Sequence, residues 1–446
     1  MKKKYEDLFK TLVKSYYENN FEETVDSLLN NNDYDRTELS EIISILCGVT
    51  VKPNDNFSKD LKRAITTYSA NNKIVEKLSR PCLCKSDGES PCMHVCPFNA
   101  ILKDPITKTS YINIDACTDC GLCIEACEHD NLIDRIEFMP LLEILKGDEP
   151  VIAAVAPAIS GQFGESVTMD QLRAAFIKMG FKDMVEVAFF ADMLTIKEAV
   201  EFDRFVKSKD DLMITSCCCP MWVGMLKKVY KDLVKYVSPS ISPMIAAGRG
   251  LKKLNPNCRV VFIGPCIAKK SEARDKDLVG DIDFVLTFEE LRGIFDTLDI
   301  KPSELIEVPS IEYASKGGRL YARTGGVSIA VSDAVQEMFP EKYKLFNAIQ
   351  CHGVADCKKV LNAAQNGELK TNFIEGMGCV GGCVGGPKAI VSKEQGKIAV
   401  DDFALASSYK VPTSSDIMLD ILSRMDINSL EDFKDHEKIK IFERDF

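Results

Sequence analysis

No apolar run in this 446-residue chain approaches the roughly 18 residues that a membrane span needs. Positive charge is not in excess either: 56 Lys and Arg stand against 67 Asp and Glu, a net charge of −11. That balance gives no sign of a basic face, which argues against nucleic acid as a partner. The first residues are not expected to act as a secretory leader. Met-Lys-Lys-Lys is basic, but Tyr5, Glu6 and Asp7 follow where a signal peptide needs an apolar stretch. The expectation is a cytoplasmic protein without membrane attachment. There is no internal repeat and no low-complexity tract. With 46% hydrophobic and 28% charged residues, the composition argues against a disordered chain. The length suggests about two to four domains.

Cysteine, by contrast, is abundant, at 18 residues. A reducing cytoplasm disfavours a disulfide framework, so metal is the first explanation. Eight cysteines lie between Cys82 and Cys127. Six more form three short motifs: Cys217, Cys218 and Cys219; Cys266; and Cys379 with Cys383. Cys47, Cys258, Cys351 and Cys357 stand apart and read as small buried hydrophobes. Cys351, His352 and Cys357 match no standard metal spacing.

Residues 1–78 carry no clustered cysteine. Tyr5, Leu8, Phe9, Leu12, Val13 and Tyr16 recur at helical spacing, and a second helix is predicted over Phe21–Leu29. Asn30, Asn31, Asn32 and Asp33 read as a loop, and Thr37 as the cap of a third helix carrying Leu39, Ile42, Ile43 and Leu46. This region reads as a packing or docking element. From about residue 148, apolar β-rich runs alternate with helical stretches. The predicted strands are Val151–Val155, Met184–Ala188, Leu212–Thr215, Val260–Ile263, Phe284–Leu286 and Phe346–Ile349, with helices such as Met169–Met179 and Leu194–Phe205 between them. Such alternation predicts parallel sheets covered by helices.

The run Cys117-x2-Cys120-x2-Cys123-x3-Cys127 has the bacterial ferredoxin spacing, with Glu128 where proline usually follows. Ahead of it, Cys82-x-Cys84-x7-Cys92-x3-Cys96-Pro97 ends on the pattern and opens stretched. Crossed pairing then assigns Cys82, Cys84, Cys92 and Cys127 to one 4Fe–4S cluster, and Cys96, Cys117, Cys120 and Cys123 to the other. Two four-thiolate zinc sites would use the same eight residues; the crossed spacing and Cys96-Pro97 favour iron–sulfur. His94 and His129 read as bystanders.

The three later motifs are Thr215-Ser216-Cys217-Cys218-Cys219-Pro220-Met221-Trp222, Gly264-Pro265-Cys266-Ile267-Ala268-Lys269-Lys270-Ser271-Glu272, and Glu375-Gly376-Met377-Gly378-Cys379-Val380-Gly381-Gly382-Cys383-Val384-Gly385-Gly386-Pro387. The first two follow apolar strands, where α/β folds place their sites. The glycines of the third let backbone approach a bulky inorganic group. Together the motifs resemble the three signatures of the FeFe-hydrogenase catalytic domain, over roughly residues 150–390. The triple cysteine and Gly385-Gly386-Pro387 look like the group B branch. The more familiar branch has two cysteines before the proline, methionine in place of Gly264 and glutamine before the final proline.

The resemblance implies an α/β catalytic domain of two lobes over 141–446, with parallel sheets flanked by helices. A two-cluster ferredoxin-like α+β domain (79–140) and the small N-terminal helical region (1–78) would precede it. It implies an H-cluster, a 4Fe–4S cubane joined to a two-iron subsite with carbonyl, cyanide and dithiolate-amine ligands. Cys219, Cys266, Cys379 and Cys383 would hold the cubane, with Cys383 bridging to the subsite. Lys269 would hydrogen-bond a cyanide, and Met377 would pack against the subsite. Ala156, Pro157 and Ala158 would line it, with Ala158 replacing a family serine. Anchoring the motif on Pro220 and Trp222 selects Cys218 as proton relay and Cys219 as cubane ligand; anchoring it on Thr215 and Ser216 selects Cys217 and Cys218 for those roles. Glu198, Glu201 and Ser238 match the family's relay residues. Its exit arginine is unmatched, since Phe205 stands there with Arg204 beside it. The implied reaction is reversible reduction of protons to dihydrogen, with ferredoxin as electron partner and maturation proteins supplying the two-iron subsite. The alternative is a hydrogenase-like electron-transfer or cluster-assembly protein without that subsite; such relatives lose the subsite lining. Sensory relatives carry an added signalling domain, whereas the stretch after Pro412 reads as a helical cap.

Overall fold

The computed structural model describes all residues except 1–2, 31–34, 71–72, 83, 85–89, 108, 217 and 310–312. Four helices open the chain, Lys3–Tyr17, Phe21–Leu29, Arg36–Leu46 and Phe57–Thr66. The third is capped by Asp35, not by Thr37: the Asp35 carboxylate accepts the Glu38 N–H at 2.9 Å, and Thr37 lies inside the helix. With aspartate as cap two residues earlier, the helix gains Arg36 and Thr37. Of the loop expected at Asn30–Asp33, residues 31–33 lie outside the described residues. The opening helices share one apolar core with the large sheet described below. Phe9 is fully buried, and Lys10 donates to Asp296 at 2.8 Å at the end of helix Phe288–Thr297.

Strands β1 (Val75–Lys77), β2 (Ile101–Lys103), β3 (Ser110–Ile112) and β4 (Leu132–Asp134) frame the cysteine-rich segment. β1 pairs antiparallel with β4, and β2 with β3. Short helices Pro91–His94 and Leu122–Ala126 sit between them.

Beyond residue 150 the sheets are parallel. Strands β5 (Val151–Val155), β6 (Asp183–Glu186), β8 (Arg259–Gly264) and β9 (Phe284–Thr287) form a four-stranded sheet in the order β6-β5-β8-β9. Its central strands, VIAAV and RVVFIG, are apolar on both faces, as a helix-covered parallel sheet requires. The second sheet runs β10 (Ala348–His352), β11 (Phe373–Met377), β7 (Met213–Ile214).

Several predicted boundaries shift. The strand expected over Met184–Ala188 ends at Glu186, and helix Val187–Phe205 begins there, seven residues before the predicted Leu194. Its first half is buried on all sides, so no period separates strand from helix. β7 is two residues long, and β10 starts at Ala348 rather than Phe346. β11 was not expected at all, although it is the central strand of its sheet. No helix among the described residues is long and apolar enough to cross a membrane.

Candidate active site

The site lies where β5, β7, β8 and β11 end. The cysteine motif after β7 leads into helix Pro220–Lys228, with Pro220 at its first turn. Trp222 is fully buried and donates from Nε1 to the Thr215 carbonyl at 2.8 Å, closing the motif on itself. Its ring lies flat against Gly376 in β11, where an added Cβ would come within 2.2 Å of Trp222 Cδ2. The first and third motifs are further tied by the Gly378 N–H, which donates to Cys219 Sγ at 3.2 Å.

The cysteines expected to hold the catalytic cubane are brought together. Burial pushes the Cys266 thiol up to about 11, with Cys219 adding to the effect, and pushes Cys383 up to about 12, with Cys219 and Cys266 contributing. Cys379 is raised too, first by burial and then by Cys266, Cys219 and Cys383. Thiols that hold one another protonated must exchange those protons for metal, the usual coupling at a thiolate site.

Beside them, a mostly apolar cavity is lined by Ala156, Pro157, Ala158, Cys218, Lys269 and Cys383, together with Phe262, Met244 and Tyr321. Cys218, Lys269, Ala156 and Pro157 are thus placed together as the sequence proposed. Met377 is buried in β11 but is not among the residues lining this cavity. Cys217 lies outside the described residues. Lys269 is buried beside Glu272, its Nζ donating at 2.7 Å. Burial would lower its pKa, but Glu272, then Cys266 and Cys218, outweigh that and hold the ammonium above its usual value. Gly264, which departs from the familiar branch, has its space filled: an added Cβ would sit 2.5 Å from the Phe262 ring.

Glu198 and Glu201 are buried, not on a solvated helix face. Thr215 Oγ1 donates to Glu198 at 2.7 Å, and Ser238 Oγ donates to Glu201 Oε2 at 2.6 Å. Sequence reasoning missed Thr215 as a partner, although it adjoins the cysteine motif. It also missed Lys197 and Ser240, which complete a ring with Glu201 and Ser238. Lysine one residue before a relay glutamate reads as a surface residue, and only the tertiary fold buries it completely.

In the cysteine-rich segment, Cys82, Cys84, Cys92 and Cys127 line one cavity, with His129 at its wall. Cys84 is raised by burial first and then by Cys82, Cys92 and Cys127. The other set is equally close: Cys123 is raised by burial and then by Cys120, Cys117 and Cys96. Backbone N–H groups donate to Cys96 Sγ and Cys127 Sγ at 3.2 Å and to Cys117 Sγ at 3.3 Å. Such bonds to sulfur are a means of tuning iron–sulfur potentials. Among the described residues no three His, Cys, Asp or Glu side chains group as ligands of a single ion. The segment also abuts the catalytic motifs. Cys120 interacts with Cys266 and Cys379, and Gly121, at φ +81, packs so closely on Ile267 that an added Cβ would sit 2.5 Å from its Cδ1. The isolated Cys351 and Cys357 are fully buried, and their thiols point to the carbonyls of Glu375 and Met377 at 3.4 Å.

Parallel sheets whose strand ends gather thiols around one cavity define an α/β protein with a cysteine-lined centre. The family model described as iron only hydrogenase large subunit, C-terminal domain, matches residues 149–387, and the chain belongs to that family. Iron hydrogenase 1 of Clostridium pasteurianum is 27% identical over 286 residues, 54% of this chain and 50% of that protein. The periplasmic Fe hydrogenase large subunit of Nitratidesulfovibrio vulgaris is 28% identical over 353 residues, 68% of this chain and 84% of that protein. A cytosolic Fe-S cluster assembly factor, the NAR1 homolog of Schizosaccharomyces japonicus, is 25% identical over 231 residues, 44% of this chain and 45% of that protein. The chain therefore spans about half the length of the Clostridium relative. A solved FeFe-hydrogenase variant from Chlamydomonas reinhardtii superposes with a TM-score of 0.57 at 23% identity, over 68% of this chain and 97% of that one, a likeness of fold.

Proposed function

We propose that this protein is an FeFe-hydrogenase of the group B-like branch, interconverting protons and dihydrogen at an H-cluster. The observation that carries this reading is the cavity beside the cubane cysteines, because it keeps Ala156, Pro157, Cys218 and Lys269 together with Cys383. A cluster-assembly relative needs the four thiols but not this lining. The donor set fits the group: four mutually close thiols for a cubane, an apolar recess beside Cys383, and a buried ammonium for an anionic ligand. When bound, the two-iron unit supplies the place where dihydrogen is split or formed.

The chain's own residues do the rest. Cys219, Cys266, Cys379 and Cys383 hold the cubane. Lys269, anchored by Glu272, presents its charge to the recess. Cys218 accepts or delivers the proton, and Glu198, Ser238 and Glu201 carry it through the protein, with Thr215 fixing the Glu198 carboxylate. The Ser238–Glu201 contact of 2.6 Å is within proton-transfer reach. The ferredoxin-like segment, with its two antiparallel strand pairs, short helices and two sets of four cysteines, would hold two 4Fe–4S clusters that pass single electrons. Electrons would arrive from a ferredoxin-type carrier in the cytoplasm, and maturation proteins would install the two-iron unit.

The matched assembly factor keeps a second reading in view, an iron–sulfur protein without the two-iron subsite. Anaerobic infrared spectroscopy after supply of a two-iron subsite separates the two. Sharp cyanide and carbonyl bands that survive removal of unbound complex, with hydrogen evolution from the same sample, are expected. Intact iron–sulfur clusters without such bands would leave the second reading.

A further inference from the structure

The proton relay needs an outlet, and the family's exit arginine is replaced by Phe205, which is half-exposed and lies under Arg204. The structure supplies other groups at this end of the helix. Lys197 has no exposed surface, and its Nζ has three oxygen neighbours. It donates to Glu201 Oε1 at 2.6 Å and to Ser240 Oγ at 3.1 Å, and stands 3.5 Å from Glu443 Oε1. Glu443 belongs to the C-terminal segment, which is fastened beside the relay by a bridge to Ser240 and by the Arg444 N–H donating to the Pro239 carbonyl at 2.9 Å. The other Glu443 oxygen, Oε2, lies 2.5 Å from Nδ1 of His436, whose side chain is 73% exposed. Glu201, Phe205, His436 and Glu443 all line one surface cleft of about 860 Å³.

We propose that Lys197, Glu443 and His436 form the proton exit of this protein, in place of the missing arginine. The inference rests on the hydrogenase reading and adds the route from Glu201 to water. On the outward path, Lys197 gives a proton from Nζ to Glu443 Oε1 and takes one from the Glu201 carboxyl. The Glu443 carboxyl turns about its Cγ–Cδ bond to bring that proton to the Oε2 position, passes it to His436 Nδ1, and His436 releases one from its other ring nitrogen to solvent. Each step breaks one N–H or O–H bond and forms another, moves a single proton and needs no electrons. The inward path is the reverse. The longest gap, 3.5 Å at Lys197, closes with a small movement of the Glu443 side chain, and such contacts are commonly loose before substrate is present. An imidazole is suited to the water-facing end because its ordinary pKa is closest to neutral.

The test uses the full chain, reduced, with clusters and two-iron subsite in place. E443Q and H436A are compared with the parent. Both variants are expected to keep the parent's cyanide and carbonyl infrared bands and to lose about 10²-fold or more in hydrogen turnover. Added imidazole should restore H436A but not E443Q. A second readout is independent of turnover. On switching between hydrogen and argon, the parent's infrared difference spectrum should contain a carboxyl C=O band that moves in D2O and is absent in E443Q. H436A lies on the surface and is safe for folding, so it decides the matter if E443Q fails to load. Parent-like turnover of H436A with bands intact, or failure of imidazole to rescue a slowed H436A, would overturn the exit while leaving the hydrogenase reading. Absence of the cyanide and carbonyl bands in the parent itself would overturn both.

Discussion

Replacing Glu272 by glutamine isolates the Lys269 charge inside the protein. The two side chains are 8% and 5% exposed, with Nζ and Oε2 2.7 Å apart. At that distance an effective dielectric of about 20 gives roughly 6 kcal/mol of attraction, before desolvation is subtracted. Measured losses on breaking one half of a buried pair are about 3–5 kcal/mol. Glutamine still offers an oxygen to the ammonium, which returns about 1 kcal/mol. The expected cost is therefore about 3 kcal/mol. With a urea dependence of about 3 kcal/mol per molar, the unfolding midpoint should fall by about 1 M. The assay is anaerobic urea unfolding of parent, E272Q, K269M and the double variant at matched cluster content, near neutral pH. The folded pKa of Lys269 is raised, so the pair's stabilisation is fully present below the unfolded lysine value of about 10.4 and is lost only as pH rises through the higher folded one. In the K269M background, E272Q should cost little, giving a coupling of about 2–3 kcal/mol. A midpoint for E272Q equal to the parent's, or strictly additive single costs, would refute the claim that Glu272 carries the buried ammonium.

Three further outcomes follow from the same contacts. E201Q and S238A should each lower hydrogen turnover by about 10²-fold while leaving the cyanide and carbonyl bands in place, because they interrupt proton movement and not cofactor binding; unchanged turnover would remove them from the relay. Gly376→Ala should cost about 3 kcal/mol in thermal or urea unfolding, since its Cβ meets the rigid, fully buried Trp222 ring at 2.2 Å. Asp192 is fully buried, and burial raises its carboxyl to about 7 against the hydrogen bonds from Ser315 and Gly318. Its neutral form is favoured by folding, so its contribution is complete below the unfolded value of about 3.9 and is lost as pH rises through about 7. D192N should gain stability relative to the parent between pH values of about 5 and 8, and equal unfolding midpoints at both ends would contradict this.

The sequence was most readable where local pattern and tertiary role agree. The apolar runs of β5, β8 and β9 are buried on both faces and were placed to within a residue or two. The cysteine spacing led to two crossed sets of four, and the members of each lie near one another in space. β11 was hidden for a physical reason. Its run Phe-Ile-Glu-Gly-Met contains a carboxylate and a glycine at the centre of a sheet. Gly376 is there to admit Trp222, and the buried Glu375 accepts N–H groups of Gly325 and Ser328 at the start of helix Gly326–Met338. Neither reason can be seen within five residues of sequence. Lys197, Glu272 and Glu443 were overlooked for a related cause. A charged side chain reads as solvated until a distant segment covers it, and here the cover for Lys197 comes from the far C-terminus.

The departures from the familiar hydrogenase pattern become intelligible when each is taken with the residue that fills its space. The room left by glycine at 264 is filled by the Phe262 ring, which packs over that glycine and lines the recess. Phe205 removes a cation from the end of the relay helix, yet the cleft it borders holds His436 and Glu443 from another part of the chain. In both places the neighbouring groups come from elsewhere: the Phe262 ring from two residues upstream, and His436 and Glu443 from more than two hundred residues downstream. Position-by-position comparison scores each as a defect. On the proposed hydrogenase reading the chemistry demands a filled wall and a titratable group at the water's edge, and Phe262 and the Glu443–His436 pair are the groups proposed for them.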